Sequence, residues 1–355
     1  MKKIMCKIKS MISQILEIIS SITWTMSDVD VYYVVENQNW SIKADGLNIT
    51  RNLKRHKGRV TTYARRFPKN VYVHLGSFNL LSKAANIKNA KRVIGTCFHI
   101  VDGDKRYDKL TEYDKYIDCW HTACTITRNK MVSMGINPKK IEIIPLGVDS
   151  NIFFPEIDSE LRAAKRRELG IKDNQFVIGS FQKDGNGWEQ GLVPKMIKGP
   201  DVFCDAIERL IKDYNIFVLL SGPARGYVKR RLDAMGVPYY HANFADPNDV
   251  ADLYRLTDCY IVGSREEGGP KAILESMASG VPIVSTRVGM APDLIEDYVN
   301  GILVDVEDVN AICQGVSKII TSEITRTKLI ANGIETAKIY ALDKVVERYE
   351  KELYY

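Results

Sequence analysis

Between residues 29 and about 320, short apolar runs alternate with longer stretches whose apolar positions recur at three- and four-residue steps. VDVYYVV (29–35), NVYVHL (70–75), RVIGTCF (92–98) and IEIIPL (141–146) are rich in β-branched and aromatic residues, as buried strands are. LNITRNLKRH, KLTEYDKY and TITRNKMVSMG read as helices between them. The second half repeats the pattern. QFVIGSF (175–181), IFVLLSG (216–222), CYIVG (259–263) and PIVST (282–286) predict strands; DVFCDAIERLIKD (201–213), NDVADLYRLT (248–257) and PKAILESMAS (270–279) predict helices. Strands that are apolar almost without interruption, each followed by a helix, imply parallel sheets covered on both faces. The two blocks meet at PLGVDSNIFFP (145–155), where Pro and Gly cluster, so the expected fold is α/β with two domains, 26–150 and 151–335, closed by a helix over 336–355. Ligands of open parallel sheets bind at the carboxyl ends of the strands, so the chemistry is expected in a cleft between the two sheets.

The first 25 residues stand apart. Ile4, Ile8, Met11, Ile12, Ile15, Leu16, Ile19 and Ile22 fall at helical spacing among Lys2, Lys3, Lys7 and Lys9, which predicts an amphipathic helix. Gln14 and Glu17 interrupt it, so its apolar run is far short of the roughly 20 residues of a membrane span. With no small-residue cleavage site it does not read as a signal peptide. Two readings stay open: a helix lying on an anionic membrane surface, and one packed on protein.

Composition adds little beyond the class. The chain has 355 residues, 45% hydrophobic and 26% charged, and needs no staple to hold a core of that size. Its seven cysteines are scattered without a C-x-x-C pair, which points to buried thiols in a cytoplasmic protein rather than a zinc site or disulfide framework. Net charge is +6, and residues 51–70 carry eight basic side chains and no acid. That run is either a solvated face or an attraction to anionic lipid or a phosphate-bearing acceptor; nothing points to nucleic acid.

The segment CYIVGSREEGGPKAILESMASGVPIVST (259–286) carries the most chemistry. It reads strand, loop, helix, strand. Pro270 suits a first helical turn, Gly280 a helix end, and Pro282 prevents continuation. The loop Glu266-Glu267-Gly268-Gly269 therefore delivers its backbone N–H groups beside a helix N-terminus, where anions are favoured. Two carboxylates in the same loop do not suit a pure phosphate cradle. A ligand carrying both a diphosphate and sugar hydroxyls accounts for the mixture. Glu275, farther into the helix, is placed to take a second hydroxyl-bearing group such as a ribose, while Glu266 reads as a surface acid.

Glu267, seven residues, Glu275 and then Met277-Ala278-Ser279-Gly280-Val281-Pro282 resemble the signature of the group 1 glycosyltransferases, family four of the retaining GT-B enzymes. TRVGMAPDLI (286–295), VNGILV (299–304) and KKIEIIPLGVDSNIFFP (139–155) are similar to further segments of that family. The resemblance covers about residues 92 to 335 and implies two Rossmann-like domains: an N-terminal acceptor domain and a C-terminal domain for the nucleotide sugar, with the last helix packed back toward the first. It implies that Glu275 binds the donor ribose and Glu267 the transferred sugar. Gly268, Gly269, Pro270 and Lys271 line the donor. Lys198 of PKMIKGPD, and Lys183 where the family usually has Arg, neutralise the leaving diphosphate. Lys offers charge there without the two-pronged fork of Arg. Gly222 and Arg225 of SGPARGYVKRRL fall at the expected base-binding edge, and His99 at the end of RVIGTCFHI matches the family's cleft histidine. His74, Asp45 and Gly46 are candidates on the acceptor side; NWSIKADGLNI (39–49) takes the place of a glycine loop without its paired glycines. Trp188 and Tyr227 are expected in core packing, with the nucleotide cleft as the alternative.

The resemblance thus implies a retaining transfer of a hexose from a nucleoside-diphosphate sugar, UDP- or GDP-linked, to a polysaccharide or lipid-linked glycan, without cofactor or metal, in the cytoplasm or on the inner face of the membrane. Asp102-Gly103-Asp104 reads as a turn rather than the Asp-x-Asp metal motif of the other glycosyltransferase fold. A sugar-nucleotide epimerase and a non-catalytic carbohydrate-binding protein are the competing readings. An NAD enzyme is disfavoured, because no G-x-G-x-x-G follows the first strand.

Overall fold

The computed structural model describes residues 28–37, 41–64 and 67–355. The helix expected over 1–25 lies outside the described residues, as do Arg65 and Arg66 of the basic run. Among the described residues, no helix is long and apolar enough to cross a membrane. The chain forms two compact units, divided at 122/123, 127/128, 144/145 and 345/346; the last ten residues, 346–355, belong with the first unit.

The first unit is built on a six-stranded parallel sheet in the order β2-β1-β3-β4-β5-β6. Its strands are β1 (Val31–Val34), β2 (Gly58–Thr61), β3 (Tyr72–Leu75), β4 (Arg92–Thr96), β5 (Cys119–Thr122) and β6 (Ile141–Ile143). Helix α1 (Ser41–Asn52) links β1 to β2. It starts earlier than LNITRNLKRH suggests and takes in Asp45 and Gly46, both buried against the sheet. Gly46 allows that approach, since a Cβ there would stand 2.7 Å from the Tyr33 ring. Asp102 and Gly103 form the expected turn, with Gly103 at φ +79 and Asp104 accepting from Arg106 N–H to start a 3-10 turn.

The second unit repeats the plan, in the order β12-β11-β10-β7-β8-β9. Its strands are β7 (Phe176–Phe181), β8 (Ile216–Ser221), β9 (Tyr239–Ala242), β10 (Cys259–Val262), β11 (Ile283–Thr286) and β12 (Ile302–Val304). The helices that bear on the site are α2 (Pro200–Leu210), α3 (Gly226–Met235), α4 (Val250–Leu256) and α5 (Ala272–Ala278). Helix α2 buries Val202, Phe203, Ala206, Ile207 and Leu210 along one stripe. Each large side chain of that stripe stabilises the unit by about 1.5–3 kcal/mol, which fixes the helix's start at the carboxyl edge of the sheet. The buried thiols follow expectation: Cys97, Cys119, Cys124, Cys204 and Cys259 are free and buried.

The returning C-terminus is held by polar groups as well as apolar ones. The Glu350 carboxylate, 3% exposed, accepts from the backbone N–H groups of Lys54 and Arg55 and contacts His56 Nδ1. Lys54 and Lys57 of the basic run pair with Glu347 and Asp28, so part of that charge is met by acids distant in sequence. A chain of hydrogen bonds joins Tyr354 Oη, His74 Nδ1, His74 Nε2, Thr96 Oγ1 and His121 Nδ1, and His121 Nε2 meets Tyr349 Oη. Burial drives the His121 pKa down to about 4 and the His74 pKa well below its ordinary value. Both rings fold neutral and bind protons more readily when unfolded. Their stabilising effect is complete above pH 6.5 and is lost as pH falls toward 4, by about 1.4 kcal/mol per pH unit for each histidine. Thermal melting between pH 7 and pH 5 should therefore show a falling Tm, and a His121→Phe variant should show a flatter fall.

Candidate functional site

The second unit gathers its polar side chains at the carboxyl ends of β7, β8 and β10. The loop after β10 begins at Gly263 and carries Ser264, Arg265, Glu266, Glu267, Gly268 and Gly269. It is tied to the chain before α2 through its backbone: the N–H groups of Arg265 and Glu266 both donate to Ile197 O, at 2.9 and 3.1 Å. Arg265 reinforces the tie by a two-pronged pair with Asp201 at 2.8 and 2.7 Å, and it donates to Met196 O. From the other side Thr286 Oγ1 donates to Ser264 O at 2.7 Å.

These ties bring together two residues marked from sequence. Lys198 Nζ donates to both carboxylate oxygens of Glu267, at 2.6 and 2.7 Å, and the fully buried Ser264 donates its hydroxyl to Glu267 Oε1 at 2.9 Å. The pair is partly enclosed, with side chains 24% and 11% exposed. It is a strong, charge-assisted contact in a site that still opens to solvent. Gly268 and Pro270 are buried, while Gly269, Lys271 and Glu275 are half-buried. Helix α5 starts at Ala272, just past Pro270, and Ile273 N–H bonds back to Pro270 O at 3.1 Å. Glu275 sits in its first turn. Its Oε2 accepts from Tyr254 Oη at 3.1 Å. Tyr254 is fully buried on α4 against Phe181 and Tyr260, with ring centroids 4.7 and 5.3 Å away. The sequence contains Tyr254, Ser264 and Arg265 but gives no pattern that assigns them to the site; packing of α4 against α5 sets Tyr254 beside Glu275, and the fold of their shared loop turns the Ser264 hydroxyl onto Glu267.

The loop from residue 182 to 199, between β7 and α2, supplies the remaining cations. Lys183 Nζ lies 3.5 Å from the centre of the Trp188 ring. Trp188, expected in the core, is instead 61% exposed, because it rides on a hairpin that leaves the sheet; Tyr227 packs half-buried against the core as expected. The next residue, Asp184, is 1% exposed and pairs with the equally buried Arg225, Nε to Oδ1 at 3.2 Å. Arg225 also donates to the carbonyls of Ser180, Gln182 and Ser221 and to Ser180 Oγ. Its guanidinium thus anchors the loop to the strand ends. Gly222 ends β8 at φ +98. A cavity of about 550 Å³ opens beside it, lined among others by Trp188, Gln190, Pro223, Lys229, Arg230 and His241.

In the first unit, His99 lies just past β4, half-buried, its ring 6.4 Å from that of Tyr107. His74 lies within β3, fully buried, with both nitrogens bonded to protein hydroxyls. Asp45 and Gly46 lie on the buried face of α1.

Residues 192–336 match the profile of the family "Glycosyl transferases group 1". Among curated proteins, the D-inositol 3-phosphate glycosyltransferase of Xylanimonas cellulosilytica is 27% identical over 222 residues, which is 59% of this chain and 50% of that protein. The UDP-Gal:alpha-D-GlcNAc-diphosphoundecaprenol alpha-1,3-galactosyltransferase of Escherichia coli is 26% identical over 302 residues, 79% of this chain and 74% of that one. The chain spans about half the length of the matched D-inositol 3-phosphate glycosyltransferases of X. cellulosilytica and Corynebacterium glutamicum. Among solved structures, Anabaena HepE in complex with UDP and glucose superposes with a TM-score of 0.75 at 15% identity, covering 92% of this chain and 99% of that one. That likeness shows the fold alone. Two six-stranded parallel sheets and the superposition show the GT-B fold, and the match over residues 192–336, which takes in Lys198, Glu267 and Glu275, makes that part of the chain similar to the group 1 glycosyl transferases.

Proposed function

We propose that this chain is a retaining glycosyltransferase that moves a hexose from a UDP- or GDP-sugar to a polysaccharide or lipid-linked glycan at the cytoplasmic face of a membrane. The observation that carries the reading is the Lys198–Glu267 pair, set beside the Gly268–Gly269 backbone with Glu275 in the first turn of the following helix. In this reading Glu275 takes the ribose hydroxyls, and the base lies toward Gly222 and the cavity beside it. Gly268, Gly269, Pro270 and Lys271 border the sugar and phosphates. Glu267 orients the sugar, and Lys198 and Lys183 meet the charge that grows on the diphosphate. By the family resemblance, His99, His74, Asp45 and Gly46 of the first unit are assigned to the sugar and acceptor. The names of the relatives support a nucleotide-sugar donor: HepE was crystallised with UDP and glucose, and the E. coli relative is named for UDP-Gal and a diphosphoundecaprenol-linked acceptor.

The reaction breaks the bond between the anomeric carbon and the phosphate oxygen and forms one from that carbon to an acceptor hydroxyl oxygen on the same face. The departing phosphate oxygen takes the acceptor proton. Fixed cations stabilise the leaving charge as it develops, so no metal ion is required in this scheme.

The test is sugar transfer from a panel of nucleotide sugars to lipid-linked acceptors presented in anionic vesicles, with and without EDTA. Transfer that survives EDTA, with the anomeric configuration kept and the protein co-sedimenting with the vesicles, is the expected result. Glu275→Ala should raise the donor KM by about 10- to 100-fold, the loss of a hydrogen-bonding charged group worth about 1.5–3 kcal/mol. An unchanged donor KM in that variant, or inverted product, would contradict the assignment.

A further inference from the structure

We propose that Lys195 is a further cation of the diphosphate seat, one that the glycosyltransferase signature does not mark. The proposal rests on the donor reading above and adds a residue to it. The loop from 182 to 199 is a folded hairpin. Gly185 bridges Pro194, Asn186 N–H donates to Val193 O at 2.8 Å, and Lys195 N–H donates to Asp184 O at 2.7 Å. The hairpin tip is docked backbone to backbone on the start of α3: Gly226 N–H donates to Gln190 O at 2.7 Å and Tyr227 N–H to Gly191 O at 3.0 Å. Only glycine allows this approach, since a Cβ at Gly185 or Gly191 would lie 2.3 or 2.1 Å from Ala224 O. With Asp184 held by Arg225, the return leg that ends at Lys195 has a fixed position.

A single 3-10 turn follows. Lys198 N–H donates to Lys195 O at 2.8 Å. Lys195 caps this turn and Lys198 closes it, so the two lysines are held one short turn apart on the same fixed piece of backbone. Lys198 reaches Glu267. Lys195 is half-buried, and burial, then the like charges of Lys198 and Lys183, hold its pKa below the ordinary lysine value, while Glu267 pulls the other way. The salt bridge of Lys198 uses Glu267, and Lys183 leans on Trp188. Asp184, the other acid near Lys198, is held by Arg225. Lys195 feels the charges of Lys198 and Lys183 as well as that of Glu267, whose carboxylate is bonded by Lys198, and this excess of positive charge is what a diphosphate complements.

Calorimetric titration of the full chain with UDP and with GDP comes first; binding of neither would overturn the donor reading itself. With whichever diphosphate binds, Lys195→Gln should raise Kd at least tenfold, Lys195→Arg should stay within about threefold of the native chain, and binding of the matching nucleoside monophosphate should change less than threefold. Melting curves confirm that both variants fold. A Lys195→Gln chain that binds the diphosphate as tightly as the native one would overturn the assignment to Lys195 while leaving the donor site standing. So would equal losses for the mono- and the diphosphate.

Discussion

Lys198→Ala is expected to lower the turnover of sugar transfer by about 10²–10³-fold, the usual loss when one fixed group that stabilises a developing negative charge is removed. The loss should fall mainly on kcat, because in the proposed reaction the ammonium meets more charge on the departing diphosphate than on the bound donor. A second contribution comes through Glu267. In the folded chain Lys198 Nζ bonds both oxygens of that carboxylate, and Ser264 Oγ donates to one of them. Without Lys198, the carboxylate, 11% exposed, loses its counter-charge and its orientation. A partly buried acid so deprived costs about 1–3 kcal/mol, which a Tm measurement reads separately from kinetics. Because the two side chains act as one unit, the losses in Lys198→Ala, Glu267→Gln and the double variant should be far from additive. Lys198→Arg should recover part of kcat. Native-like kcat in Lys198→Ala would mean that the pair is a structural tie between the loop after β10 and the turn before α2, with no part in the chemistry.

How much of this was legible beforehand follows from burial. Strands with both faces covered, such as β7 (FVIGSF) and β8 (IFVLLS), are apolar runs and declare themselves. Two of the edge strands do not. In β2 (GRVT) and β9 (YYHA) only the last residue is buried, so neither a run nor a clean alternation marks them. β5 is hidden for another reason: CWHT is wholly buried, but its His121 and Thr122 bring polar atoms into the sheet, and His121 is matched by Ile144 O and by Tyr349 from the far end of the chain. Nothing local to residues 119–122 tells of that partner.

The candidate site divides in the same way. Glu267, Glu275 and the glycines are legible because their spacing is set by one loop and one helix. Lys198 is legible because it stands before Gly199 and Pro200. Arg225 is harder to read. A basic residue after a Gly-Pro turn suggests a ligand contact, yet its N–H groups donate to three carbonyls and a hydroxyl, its charge is paired with that of Asp184, and it is 1% exposed. Asp184 and Arg225 are 41 positions apart in sequence, and only the adjacency of β7 and β8 reveals them as a pair. Lys195 carries no signal unless the three-residue step to Lys198 is known to be a 3-10 turn rather than extended chain.

Gly199→Ala should be among the most damaging single methyl groups in the second unit. Gly199 precedes α2 with φ 59 and ψ 40, and an added Cβ would stand 1.8 Å from Gly263 O and 2.7 Å from its carbonyl carbon. The left-handed conformation alone costs an alanine about 1–2 kcal/mol. The contact is with backbone on both sides, so no side chain can swing aside, and overpacking of this kind adds about 1–3 kcal/mol or more. A total near 3 kcal/mol lowers the Tm of a unit this size by roughly 6–12 °C. Gly170→Ala separates the two terms, because Gly170 also has positive φ, +77, but no atom lies within 4 Å of its added Cβ; it should show the conformational cost alone. The larger consequence is functional. Gly199 follows Lys198 directly, and Gly263 opens the loop that carries Glu267. Relief of the clash must push those two backbones apart, and with them the two ends of the ion pair. Transfer should therefore fall by about tenfold or more even at temperatures where Gly199→Ala is fully folded, since small misplacements of charged groups are costly to catalysis. A variant that melts early yet keeps its native kcat when cold would show that the site tolerates a wider gap than this geometry allows.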